Sequence, residues 1–169
     1  MAHATAFALR PSPRAREPRE RERKDVVAVT KAPLEARSLE GLLRELTFEF
    51  FGSGKHRITS EELLSAGAAV LLDVRSDEEL DLLSLRLAPG LTVIHIPTHE
   101  VPDRVEEIPV DLPVAVFCTA GTRAAMVYLY LHALGFDQVR VLSGGLSELV
   151  SHALPGAIWK RRRAAGNAS

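Results

Sequence analysis

The stretch Val114-Ala115-Val116-Phe117-Cys118-Thr119-Ala120-Gly121-Thr122-Arg123, continued by the apolar run from Ala124 to Leu134, decides the fold. Val114 to Phe117 is apolar at every position, the mark of a strand covered on both faces. A turn follows that opens with the chain's single cysteine and closes with arginine, and a helix begins there. The N-terminus of a helix carries unpaired N–H groups and a partial positive charge. A thiol set just before it is favoured in its nucleophilic thiolate form. Gly121 lets the backbone turn tightly, so that several N–H groups converge on one point. The stretch therefore predicts an anion cradle with a sulfur nucleophile in it.

Outward from this loop, strands alternate with helices. Ser38 to Leu46 has an N-cap and leucines at helical spacing, with Gly52-Ser53-Gly54 as its stop. Thr59-Ser60-Glu61-Glu62 and Ser76-Asp77-Glu78-Glu79 are capping boxes, opening helices that run to Gly67 and to about Arg86. Ala69 to Val74, Thr92 to Ile96 and Gln138 to Leu142 read as strands, and Val101 to Glu107 as a helix with proline in its first turn. The helix from Thr122 to Leu134 is apolar on nearly every face and is expected to sit deep. Gly144-Gly145 turns into a last helix, about 146–153, broken by Pro155. This order predicts an α/β fold with a parallel sheet flanked by helices on both sides. Ligands of such sheets bind off the carboxyl ends of the strands, where Asp73 and Cys118 are expected to share a crevice.

The chain has 169 residues, 46% of them hydrophobic, enough for one core of ordinary domain size. Its lone cysteine excludes an internal disulfide framework and a multi-cysteine zinc site, and fits a reducing compartment such as the cytoplasm. No apolar run approaches the roughly 20 residues of a membrane span, and no metal or cofactor is called for. The net charge of −1 hides a segregation. Residues 1–37 hold nine Lys/Arg against five acids, Lys160 to Arg163 add four more positive charges, and the body between carries −9. An acidic body disfavours a nucleic-acid partner and leaves any anionic substrate to the local field of the loop. Residues 1–37 read as a disordered basic, proline-containing extension, 38–57 as a helical lead-in, 58–155 as the domain and 156–169 as a basic tail that leaves the fold.

Three motifs occur together and in order: Leu71-Leu72-Asp73-Val74-Arg75-Ser76-Asp77-Glu78-Glu79, Cys118-Thr119-Ala120-Gly121-Thr122-Arg123, and Val139-Arg140-Val141-Leu142-Ser143-Gly144-Gly145. Over about residues 58–153 the chain resembles the rhodanese-like, single-domain sulfurtransferase family, whose active-site loop is Cys-x-x-Gly-x-Arg. The resemblance implies a central parallel sheet of about five strands. It also implies sulfane-sulfur transfer: Cys118 takes a sulfur from a small anionic donor such as thiosulfate or a persulfide, becomes a persulfide, and passes it to a thiol, to cyanide or to a protein acceptor. Two family features are absent: Leu87 to Leu91 replaces the usual Gly-His-Ile, and Leu149 stands near the place of an aromatic.

Weighed residue by residue, Cys118 is the nucleophile, although a free cysteine is more often a buried structural thiol. Arg123 supplies charge to the anion, against the plainer reading of a salt bridge at a helix start. Gly121 is a backbone requirement, and Thr119, Ala120 and Thr122 offer N–H groups to the substrate more than side chains. Asp73 anchors the active loop's shape and Arg75 pairs with an acid near it. His95 and His99 are four apart, but Pro97 between them spoils metal-pair geometry. Two other readings remain: a non-catalytic binding or regulatory module, and a cysteine phosphatase or arsenate reductase of similar fold. The latter uses five residues between Cys and Arg, where this loop has four.

Overall fold

The computed structural model describes residues 37–85, 91–152 and 154–166. Its strands are β1 (Arg57–Ile58), β2 (Ala69–Asp73), β3 (Leu91–His95), β4 (Val114–Phe117) and β5 (Val139–Leu142). They form one parallel sheet in the order β1-β5-β4-β2-β3. The helices are α1 (Leu39–Glu45), α2 (Phe48–Ser53), α3 (Ser60–Ser65), α4 (Asp77–Leu82), α5 (Thr122–Ala133), α6 (Gly145–Ser151) and α7 (Pro155–Gly166). The α/β fold with a five-stranded parallel sheet is as the sequence implies.

Side-chain parity builds a core on each face of the sheet. Val70, Leu72 and Val74 join Val114, Val116 and Cys118 under Ala124, Val127 and Leu131 of α5. Ala69, Leu71, Ala115 and Phe117 face the other way, against Leu63 of α3 and Leu149 of α6. Each such buried aliphatic side chain contributes about 1.5–3 kcal/mol. The same alternation that buries Val114 and Val116 carries Cys118 to the α5 side. Both capping boxes form: Thr59 with Glu62 opens α3, and Ser76 with Glu79 opens α4.

Several boundaries differ from the sequence reading. Gly54, left-handed at φ 67°, caps the additional helix α2, which follows α1. The lead-in is part of the fold, because Arg57 belongs to a strand paired with Val141. Val101–Glu107 is not a helix. Short 3₁₀ turns at Thr98–Glu100 and Val105–Glu107 flank Arg104, which leaves helical geometry (φ −124°, ψ 17°) and bonds Glu100 and Glu107. One face of α5 reaches solvent, with Met126 and Tyr130 exposed. Pro155 starts α7 instead of ending the fold, since a missing N–H costs nothing in a first turn. Lys160 to Arg163 therefore lie on a helix, with Arg161 bonded to the His152 carbonyl at 2.5 Å. The helix expected to reach about Arg86 stops at Leu82, because Leu83 turns to extended geometry (φ −151°, ψ 98°), and the expectations for residues 1–36 and for most of Leu87 to Leu91 lie outside the described residues.

Candidate functional site

Cys118 leaves the carboxyl end of β4, and Gly121 turns the chain with φ 83°, a conformation that L side chains adopt only with strain. The turn aims the first amides of α5 back at the sulfur. Sγ of Cys118 accepts from Gly121 N at 3.1 Å and from Ala124 N at 3.4 Å. The cysteine is only 3% exposed, yet it lines a cleft of about 510 Å³ at the carboxyl ends of the strands. Thr119, Ala120 and Gly121 line the same cleft, and Thr122 opens α5. The sequence reading named Thr119, Ala120 and Thr122 as amide donors. Ala124, which it did not name, supplies the second bond to sulfur.

Arg123 interacts with the Cys118 side chain, but its main partner is Glu79. Its two terminal nitrogens donate to the Glu79 carboxylate at 2.5 and 2.9 Å. Thr119 Oγ1 donates to the same carboxylate at 2.8 Å, and Ser76 N at 3.1 Å. Glu79 thus joins the start of α4, the cysteine loop and the start of α5. Its carboxyl is held well below the usual carboxylate range, chiefly by the Arg123 hydrogen bonds and then by the Ser76 amide and the Thr119 hydroxyl. The pairing pushes Arg123 up in turn. Glu79 is legible in the sequence as a capping-box residue, but Arg123 lies 44 positions away and the pairing has no local signal.

The other wall of the cleft comes from both ends of the domain. Val141 to Gly145 descend from β5, while Phe51 comes from α2, His56 from the turn after it and Arg57 from β1. Gly144 (φ 72°) has no room for a side chain, because a Cβ would lie 1.6 Å from the Glu148 carboxylate. Phe51, His56 and Arg57 have no motif to mark them.

Asp73 and Cys118 do not share the cleft. Asp73 sits opposite Phe117 in the register, fully buried, and its side chain follows the parity of Ala69 and Leu71. Its carboxylate takes Arg75 Nε at 2.9 and 3.0 Å and Nη2 at 2.6 Å. The Arg75 guanidinium lies 5.3 Å from the centre of the Phe117 ring and donates to the Leu83 carbonyl at 2.9 Å. Hydrogen bonding to Asp73 raises the Arg75 pKa against the cost of burial. The pair braces the sheet end from the face opposite the sulfur. His95 donates from Nε2 to the Arg75 carbonyl at 2.9 Å, while His99 lies near Glu100. Among the described residues no group of His, Cys, Asp and Glu is placed to hold a metal ion, and no helix is long and apolar enough to cross a membrane.

A sequence model of the rhodanese-like domain matches residues 59–152. The chain belongs to the rhodanese-like domain family. A protein named sulfurtransferase from Allochromatium vinosum is 31% identical over 98 residues, 57% of this chain and 85% of that protein. A tRNA sulfurtransferase from Aeromonas salmonicida is 31% identical over 117 residues, and this rhodanese-like chain spans only 23% of its length. The crystal structure of a rhodanese-related protein from Thermoplasma volcanium aligns with a TM-score of 0.50 at 27% identity, over 59% of this chain and 95% of the other. The family match begins at residue 59, so Phe51, His56 and Arg57 add to the cleft from outside it.

Proposed function

We propose that this rhodanese-like protein is a cytoplasmic sulfurtransferase that moves a sulfane sulfur, with thiosulfate as one donor, through a persulfide on Cys118. The observation that carries the reading is the sulfur of Cys118 in a cleft, receiving the amides of Gly121 and Ala124. The Cys118 thiolate attacks the outer sulfur of thiosulfate. A new S–S bond forms, the donor's S–S bond breaks, and sulfite leaves with the bonding pair. The persulfide's negative terminal sulfur then lies among the loop amides, which need no reorganisation to receive it. A thiolate or cyanide attacks that terminal sulfur and returns the electron pair to Cys118. An acceptor thiol on a protein reacts in the same way. Glu79 and Arg123 hold the loop's shape during both steps, and Gly121 allows it.

The test is thiocyanate formation from thiosulfate and cyanide by the wild type and by Cys118→Ser. The wild type turns over and the variant falls to the uncatalysed background. Thiocyanate formation that survives in Cys118→Ser contradicts the reading.

A further inference from the structure

The motif's cation is not the one that faces the open space of the cleft. Arg123 is occupied on both terminal nitrogens by Glu79, and neither residue lines the cleft. Among the described residues that do line it, Arg57 alone has a charged side chain, and the Glu148 carboxylate lies behind Gly144. The register of β1 on β5, and of β5 on β4, sets Arg57 two strand spacings, about 10 Å, across the sheet from the strand that carries Cys118.

Arg57 is also held for a task. Its Nε donates to His56 Nε2 at 3.0 Å. The His56 ring is more than nine-tenths buried, stacked on Phe50 at 5.1 Å and edge-on to Phe51 at 5.3 Å. Burial and the neighbouring Arg57 charge both hold His56 below its ordinary pKa, so the ring is a neutral acceptor. The two terminal nitrogens of Arg57 make no hydrogen bond or ion pair with the described residues. A guanidinium anchored by Nε presents those nitrogens as a planar fork that matches two oxygens of an oxyanion.

We propose that Arg57 is the residue that recognises the oxyanion end of the sulfur donor, so that the cleft selects donors whose sulfane sulfur is joined to a sulfonate-type group, as in thiosulfate and organic thiosulfonates. The identity of the ligand as a donor rests on the sulfur-transfer reading above; the anion site itself does not.

Methanesulfonate, which carries the oxyanion but no transferable sulfur, separates the two. It slows alkylation of Cys118 by iodoacetamide in the wild type. In Arg57→Gln, half-protection needs about tenfold more methanesulfonate, the size of one lost charge-assisted hydrogen bond, and Arg57→Lys recovers part of it. The thiosulfate KM of Arg57→Gln rises in parallel. Equal protection of wild type and Arg57→Gln, or no protection of either, overturns the proposal. Protection that depends on Arg57 in a wild type that forms no persulfide breaks the transfer reading and leaves the anion site standing.

Discussion

The carboxyl ends of β2 and β4 are neighbours in one sheet, with Asp73 opposite Phe117, and each carries a group capable of chemistry. Their fates are opposite. Asp73 spends its carboxylate on Arg75, which in turn covers Phe117 and bonds the Leu83 carbonyl, leaving a closed and fully buried pair. Cys118, one residue past the end of β4, falls on the other parity, under the first turn of α5 and in a cleft. Its sulfur takes two amides, with the Arg123 guanidinium close enough to interact with it. A saturated polar group stabilises, and a part-satisfied one beside open space can react. One residue of register separates the two outcomes.

Breaking the closed end is predicted to cost the most. Asp73→Ala leaves Arg75 as an uncompensated buried charge, at about 3–5 kcal/mol of stability. Urea unfolding checks this, and thiosulfate turnover per folded molecule is expected to stay at the wild-type level, because Asp73 does not touch the cleft. A folded Asp73→Ala protein that has lost turnover would place Asp73 in the reaction after all.

The hinge between the two ends is Glu79, and its effect is smaller. The Glu79–Arg123 pair is half-exposed, so solvent screening limits Glu79→Gln to about 1 kcal/mol or less. The sign with pH is fixed. Glu79 in the folded protein lies below its ordinary carboxylate value of 4.5, so its contribution is fully present above that value. It is lost as pH falls toward the folded value. The stability gap between wild type and Glu79→Gln is therefore widest near neutrality and closes progressively below pH 4.5. A gap that widens on acidification would contradict the pairing.

The sheet was readable because its strands are short continuous apolar runs and its helices open on side-chain caps, both local signals. The cysteine loop was readable because its strand, glycine and helix are contiguous. The pairing of Arg123 with Glu79 is not legible because the partner comes from 44 residues away, across the loop. Asp73 was placed in the wrong compartment because adjacency of strand ends says nothing about parity until the register is known. Arg57 carries no local signal, because β1 is two residues long, too short for any periodicity, and enters the sheet only by pairing with β5. The capping box gives Glu79 a local role in the sequence, and its tertiary role has no local signal.

The central claim is that the open end of β4 carries sulfur. Its most direct test is the intact mass of the full chain after incubation with thiosulfate and removal of excess donor. The account predicts a gain of one sulfur atom, located on Cys118, removed by cyanide or a thiol and absent from Cys118→Ser. An unchanged mass in the wild type, or the same gain in Cys118→Ser, would contradict it.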